Sequence, residues 1–254
     1  MLQKSVKQWR DDYAKQLSIA EKKITPKIKK YYQKEYFKGV DNFIETGNPD
    51  YQSLFKFDFF KQIYIDIYES VSMQFAKWYA KNYEKYEVKA QNTDQYISIW
   101  RAAFSFYASQ VAATNVVLVS NTAKQTLIRI TQRLYSDPDF VSLGADERAK
   151  ILRNQFSKYS RYQALRLVRT ESVRAASFGV EQSALQVFAG RNLKKQWITS
   201  MDGKEREWHA FANNQTVDFN KPFLVGGEYM KRPGEGSARN VINCRCSMIP
   251  FPSD

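Results

Sequence analysis

Two cysteines and one histidine are the residues of this sequence that could support the most kinds of chemistry. Cys244 and Cys246 are the only cysteines among 254 residues, and His209 is the only histidine. A zinc site needs four protein ligands, or three ligands and a water molecule. One imidazole, two thiolates and a carboxylate such as Asp202 would supply them. Cysteines two apart on an extended strand point to opposite faces, so both would reach one ion only if a turn carried them.

The same residues allow two further kinds of chemistry. A thiol nucleophile requires His209 beside one cysteine and a third group that orients the imidazole. Asn243, Asp202 or Asp218 could be that group. A disulfide between the two cysteines would close a small, strained ring, and reduced thiols are the default in a cytosolic protein. The sequence therefore favours free, packed thiols, and we expect no bound metal and no other cofactor.

The positive charge is concentrated near the start of the chain. The net charge is +13, and residues 1–40 contain eleven Lys and Arg residues against four Asp and Glu residues. A lysine-rich surface attracts a phosphate backbone without reading its bases, although it could equally be a solvated helix face. The residues expected to contact double-stranded DNA or an acidic partner are Lys22, Lys23, Lys27, Lys29, Lys30 and Lys34.

Apolar residues at three- and four-residue steps predict helices through the first 140 residues. The first helix would be broken at Pro26 and ended by turn residues at 46–50. Further helices are expected within 51–90 and over 94–132, with 111–120 as the most buried part. No run of roughly 18 to 20 apolar residues is evident, so no membrane-spanning helix is expected. The N-terminus also lacks the apolar stretch of a secretory signal, which indicates a cytoplasmic protein.

The pattern changes after a linker at 136–146. Helices are predicted over 147–156 and 161–188, and strands and turns from Leu193 onward. We therefore expect an α+β protein. Its basic N-terminal part, residues 1–140, would be mostly helical, and residues 145–254 would form a compact α+β domain with a small antiparallel sheet.

The segment from Leu165 to Gly179 combines small and charged residues. On a helix, Ser172, Ala175 and Ala176 share one face, and residues of this size permit the close approach of another segment. Arg169 and Glu171 would then either pair with the C-terminal strand region or form a solvated stripe of ion pairs.

Together these pieces resemble the C-terminal domain of the phage Mu F-type head morphogenesis family. The resemblance covers about residues 145–251 and includes the Arg-Thr-Glu triplet, the Asp…Arg…His cluster and the closing Asn-Cys-Arg-Cys. The positions that match the family pattern are Arg169, Glu171, Asp202, Arg206, His209, Asn243, Cys244, Arg245 and Cys246.

The resemblance implies a minor head (capsid) protein of a tailed phage. Such a structural protein would associate with the portal, other head proteins and packaged DNA during head assembly and DNA delivery. It would be assembled in the host cytoplasm and kept inside the virion head, with no membrane and no small-molecule substrate. Some family members carry an enzyme domain after this module. This sequence ends eight residues after Cys246, so we expect no enzymatic activity.

The alternative function is a zinc- or thiol-dependent hydrolase or nuclease that uses His209, Cys244 and Cys246. Under the structural interpretation, the matching residues form a polar network that fixes the strands onto the helix. Arg169 would donate to backbone carbonyls or to Asp202, and Glu171 would accept from Arg245 or Arg206.

Overall fold

The computed structural model describes residues 5–46, 52–83 and 96–253, and it has the predicted α+β fold. The turn expected at 46–50 lies largely outside the described residues. The long helices are α1 (Val6–Thr46), α2 (Phe57–Tyr83), α3 (Ile97–Tyr135) and α5 (Ala145–Val187), with the short helix α4 (Pro138–Ser142) before α5. The C-terminal part contains β1 (Leu193–Ile198), α6 (Glu207–Phe211), β2 (Thr216–Asp218), β3 (Phe223–Val225), β4 (Glu228–Met230), α7 (Ala238–Val241) and β5 (Ser247–Pro252).

Helix α1 follows the apolar period of its sequence. A buried stripe recurs every three or four residues because those steps return to one face of a helix. The helix continues through Pro26, so the predicted break there is wrong. Pro26 is exposed, while Ile24 and Ile28 on either side of it are buried. Packing on both sides of the proline outweighs the one hydrogen bond that it cannot donate. The buried stripe comprises Trp9, Tyr13, Leu17, Ala20, Ile24, Ile28, Tyr32, Tyr36 and Val40.

Helix α5 is one continuous helix where the sequence predicted two. The interruption was expected at 157–160, which contains neither glycine nor proline. The Ser160 hydroxyl donates to the Phe156 carbonyl at 2.7 Å, so it is satisfied within the helix. Farther along α5, a Cβ on Gly179 would lie 2.3 Å from the Ser72 carbonyl oxygen of α2. The small face of α5 therefore lets a second helix approach closely, as expected.

Helix α3 is less buried than its sequence suggested. Val117 is 63% exposed and Leu118 is 67% exposed, so the segment 111–120 buries only one face. By length and composition α3 could also cross a membrane, which corrects the expectation that no such run exists. The same test is passed by helices of soluble proteins, so it is weak evidence for a membrane span.

The predicted small sheet is antiparallel and three-stranded. Strand β1 lies between β2 and β5 and pairs antiparallel with both. Strands β3 and β4 form a separate hairpin, which turns at Gly226 and Gly227. Both glycines have positive φ, which suits the two-residue turns of hairpins. Around Trp197 of β1 the core contains Phe223, Val225, Met230, Val241, Cys244, Cys246 and Met248.

The chain forms two compact units that are not contiguous in sequence. Of the described residues, unit 1 comprises 5–24, 66–83, 96–107 and 168–253, and unit 2 comprises 25–46, 52–65 and 108–167. Unit 1 contains the sheet, whereas the core of unit 2 is helical and includes Tyr36 stacked on Phe156 at 4.9 Å. This division differs from the predicted domains 1–140 and 145–254, because each long helix contributes residues to both units.

Candidate functional site

A cleft in unit 1 collects all the residues matched to the family pattern except Glu171. Its volume is about 260 Å³. One side of it is formed by the loop between β1 and α6, and another by the segment between α7 and β5. The lining residues are Arg169, Ser200, Asp202, Lys204, Glu205, Arg206, His209, Asn243, Cys244, Arg245 and Cys246.

A turn brings the two cysteines to the same side, which the spacing alone did not determine. Residues 244–246 lie between α7 and β5, outside any regular strand. Asn243 has a φ of 57°, and the Cys244 N–H donates to the Val241 carbonyl at 3.1 Å. The Cys246 N–H in turn donates to Cys244 Sγ at 3.4 Å. Cys244 is 2% exposed and Cys246 is 1% exposed, and both thiols are free.

Arg245, between the two cysteines, has a different partner. Its guanidinium forms a two-point ion pair with Glu21 of α1, in which Nη2 and Oε2 are 2.8 Å apart. The predicted contact between Arg245 and Glu171 is therefore wrong. Through this ion pair, Arg245 holds the turn at residues 243–246 against α1 within unit 1.

His209 lies against both sulfurs. Its Nδ1 is 3.3 Å from Cys246 Sγ and 3.7 Å from Cys244 Sγ. On its other side, Nε2 is 3.4 Å from Asn240 Oδ1. Since a carbonyl oxygen accepts, this contact favours the proton on Nε2 and leaves the Nδ1 lone pair directed towards the thiols. The group that orients the imidazole is therefore Asn240. The sequence had predicted Asn243, Asp202 or Asp218 for this position.

The environment of the two thiols separates their acidities. The hydrogen bond from Cys246 holds the pKa of the Cys244 thiol well below its usual range, against the effect of burial. The hydrogen bond to Cys244 and burial together raise the pKa of the Cys246 thiol. The pair therefore favours one thiolate and one thiol, which share a proton next to the imidazole.

Glu171 and Arg174 form a buried network behind the cleft. Glu171 Oε2 accepts from Arg174 Nη1 at 3.0 Å and from the Tyr68 hydroxyl at 2.8 Å. Arg174 Nε also donates to the Gly234 carbonyl at 2.5 Å. The prediction that Glu171 accepts from Arg245 or Arg206 is therefore wrong. Arg174 thereby holds α5 to the turn that contains Gly234. Arg174 was not identified from the sequence, although its spacing of three residues from Glu171 on a helix is a signal for an ion pair.

The remaining predicted residues lie around the cleft. Arg169 is exposed at its edge. Arg206 donates to the Ile242 carbonyl at 2.8 Å, which ties the start of α6 to the end of α7. Asp202 accepts from the Lys204 N–H at 3.1 Å and from the Ser200 hydroxyl at 3.4 Å. Both donors belong to its own loop, and among the described residues the predicted contact with Arg169 is not formed. Glu205 was not singled out from the sequence, and no feature of the sequence marks it.

The predicted lysines are accessible along α1. Five of them are exposed and Lys29 is partly buried. Lys23, Lys27, Lys30 and Lys34 follow steps of four, three and four residues, so they form one stripe on the helix. This arrangement is compatible with a polyanion, which stays a prediction.

Sequence comparison identifies one informative relative. Over 191 residues the chain is 27% identical to a protein of Enterococcus faecalis named NAD(+)--arginine ADP-ribosyltransferase EFV. The alignment covers 66% of this chain and 38% of that protein, so the chain spans well under half of its relative. No family model matches the sequence. No solved structure matches it either.

This relative overturns two expectations. The chain was predicted to be a structural minor head protein without enzymatic activity, whereas its relative is named as an enzyme. The expectation rested on matching residues at one end of the chain and on the position of the last residue. Neither of these observations tests whether a related protein performs catalysis.

Proposed function

We propose that this chain takes part in the NAD⁺-dependent ADP-ribosylation of arginine. The observation that carries the proposal is the 27% identity over 191 residues to the E. faecalis protein named for that activity. Because the chain corresponds to 38% of that relative, the proposal concerns the shared part. It assigns to this part a role in holding the dinucleotide.

The charge of the cleft supports this role. Its lining contains four cationic residues, Arg169, Lys204, Arg206 and Arg245, and two acidic residues, Asp202 and Glu205. The diphosphate of NAD⁺ is an anion, and arginine binds phosphate oxygens through paired N–H donors. Arg245 is already paired with Glu21, and Arg206 is bound to a carbonyl. Arg169 and Lys204, both exposed, are therefore the residues proposed to contact the diphosphate.

The size of the cleft limits what it can hold. Pockets that bury a whole drug-sized ligand usually measure about 300–1,000 Å³, and this cleft measures about 260 Å³. It therefore fits the diphosphate and an adjoining ribose rather than the entire dinucleotide. In the reaction the bond between nicotinamide and ribose breaks, an arginine nitrogen bonds to the ribose carbon, and that nitrogen loses a proton. A carboxylate at the cleft, such as Asp202, can accept that proton.

The test combines binding and transfer. The purified chain is titrated with NAD⁺ by calorimetry and then incubated with NAD⁺ and an arginine-rich protein, whose mass is followed by mass spectrometry. Arg169→Ala is expected to weaken NAD⁺ binding at least about tenfold, the loss of one charge-assisted contact. Arg161→Ala is the matched control, since Arg161 is exposed on the same helix but does not line the cleft.

Binding without transfer would support the cleft assignment and locate the transfer chemistry in a part of the relative that has no counterpart here. A chain that neither binds NAD⁺ nor modifies the acceptor contradicts the proposal. Equal binding by the Arg169→Ala and Arg161→Ala variants contradicts the cleft assignment.

A further inference from the structure

Three potential metal ligands converge on one point at the base of the cleft. His209, Cys244 and Cys246 each present one ligand atom, and these atoms all lie within 4.8 Å of one another. All three residues are buried, and they also line the cleft. The group is thus shielded by protein on most sides and is reached by solvent from one.

The spacing matches a tetrahedral ion. Zinc binds thiolate sulfur at about 2.3 Å and imidazole nitrogen at about 2.0–2.1 Å, so two such ligands at the tetrahedral angle lie about 3.6 Å apart. The distances from His209 Nδ1 to the two sulfurs are 3.3 Å and 3.7 Å. Only small shifts of the side chains are needed to admit an ion between them.

Neighbouring groups already orient the ligands. The contact between His209 Nε2 and Asn240 Oδ1 directs the Nδ1 lone pair towards the sulfurs. Asn240 is itself held, because its Oδ1 accepts from Trp208 Nε1 at 2.7 Å and its Nδ2 donates to the Val225 carbonyl at 3.4 Å. Metal-binding histidines usually have such a partner on the second ring nitrogen. The N–H of Cys246 that points to Cys244 Sγ would stabilise a bound thiolate in the same way.

The carboxylate of Glu205 is independent evidence that a ligand binds in this part of the cleft. Oε2 of Glu205 is buried and has no hydrogen-bond partner among the residues that the structure describes. Glu205 lines the same cleft as the three ligands. A buried carboxylate oxygen without a partner is costly. A metal ion, or a water molecule bound to one, would remove that cost.

We propose that His209, Cys244 and Cys246 bind one Zn²⁺ ion, with a fourth position that faces the cleft and Glu205. Two thiolates and an imidazole favour zinc over magnesium or calcium, which prefer oxygen ligands. Three protein ligands and an open position are the arrangement of zinc sites that bind water or substrate. The proposal does not rest on NAD⁺ binding, since none of the three ligands is among the residues proposed to contact the diphosphate. Binding of the ion requires no oxidant, because the thiols release protons when it binds.

The first measurement uses the unmodified chain. Purified protein is stripped with a chelator, reloaded with zinc under reducing conditions, dialysed and analysed for metal content. One zinc per chain is expected, together with a melting temperature that rises with zinc concentration. Cobalt in place of zinc should give the absorption bands of thiolate ligation. Zinc should also protect both thiols from alkylation.

Variants then identify the ligands. Cys244→Ser, Cys246→Ser and His209→Asn are each expected to lose stoichiometric zinc. Glu205→Gln is expected to keep one zinc per chain but to bind it about 10–100-fold more weakly, the usual effect of losing a group that supports the ligands. Asp218→Asn is the control, because Asp218 lies on β2 and does not line the cleft.

Two outcomes would overturn the proposal. The first is a folded, reduced chain that binds no zinc at micromolar concentrations. The second is alkylation of one thiol at the same rate with and without zinc, which would point to a thiol nucleophile oriented by His209 and Asn240. If the ligand variants fail to fold, the cobalt spectrum and the thiol protection of the unmodified chain still decide between these outcomes.

Discussion

Lys195 shows what burial does to a single charge in this protein. The residue is 2% exposed on β1, its Nζ donates to the Lys231 carbonyl at 2.6 Å, and it lies 5.1 Å from the centre of the Phe223 ring. Burial lowers the pKa of Lys195 to about 8, although Glu181 acts in the opposite direction. In the unfolded chain the pKa of a lysine is about 10.4.

The pH dependence of stability follows from this difference. Between about pH 8 and pH 10.4 the unfolded chain binds a proton that the folded chain releases, so this residue makes the free energy of unfolding rise with pH. Below about pH 8 both states are charged, and the cost of the buried charge is complete and constant. Lys195→Met is therefore expected to reduce the gain in stability between pH 7 and pH 10.

Urea denaturation at the two pH values measures this gain. The control is Lys194→Met, because Lys194 is the adjacent residue of β1 and is exposed. Its variant should keep the pH dependence of the unmodified chain. If both variants show the same gain, the charge on Lys195 is not the cause.

Residue types could be predicted as important here, but most of their contacts could not. His209 and Cys246 are 37 residues apart, and only the fold of the intervening strands determines that they meet. The partner of Glu171 was missed for a different reason. Arg174 lies three residues away on the same helix, and this spacing is itself a local signal for an ion pair. The prediction instead paired Glu171 with arginines of the distant C-terminal segment.

At the scale of elements, the contact between α2 and α5 depends on Gly179. Alanine normally stabilises a helix interior relative to glycine by up to about 1 kcal/mol. At this position the added Cβ would lie 2.3 Å from a backbone carbonyl oxygen, which cannot move without moving α2. Gly179→Ala is therefore expected to destabilise unit 1 by about 1–3 kcal/mol, the usual cost of overpacking.

Chemical denaturation with a helix signal measures the effect. Gly144→Ser is the control, since a Cβ there meets nothing within 4 Å and the residue precedes α5, where serine is well accepted. The control should change stability by no more than about 0.5 kcal/mol. Stabilisation by Gly179→Ala would show that the two helices are farther apart than described.

Periodicity predicted the helical elements better than it predicted their ends. The apolar stripe of α1 was correct, but the breaks expected at Pro26 and within 157–160 did not occur. Tertiary packing decides such cases, and a local signal such as a single proline has limited weight against a long buried face. The exposure of Val117 and Leu118 is also decided by tertiary packing. An uncharged segment is buried only on the face that another element covers.

At the scale of the whole molecule, the lysine stripe predicts salt-dependent binding to duplex DNA. Replacing Lys23, Lys27, Lys30 and Lys34 together by glutamine is expected to weaken binding and to flatten its dependence on salt. Each lost phosphate contact should reduce the slope of log K against log salt by about 0.9. Fluorescence anisotropy over a salt series measures both quantities.

The control replaces four other exposed lysines, Lys56, Lys77, Lys81 and Lys158, and so makes the same change in net charge. An equal effect of both sets would show that only net charge matters. DNA and phage head proteins as partners, a place in the virion and the resemblance to the Mu F-type family stay predictions, which a mass-spectrometric inventory of purified phage particles would test.

Within unit 1, two residues of α1 contact residues that follow more than 220 positions later in the sequence. Trp9 donates to Ser247 at 3.2 Å across 238 residues of sequence, and Glu21 holds Arg245 across 224 residues. During synthesis Trp9 and Glu21 must therefore wait for more than 220 further residues before these partners exist. Contacts between such distant residues slow folding, because the loop they close must first lose its entropy. A nascent chain halted before Arg245 would leave the Trp9 indole N–H without Ser247 and the Glu21 carboxylate without its ion pair.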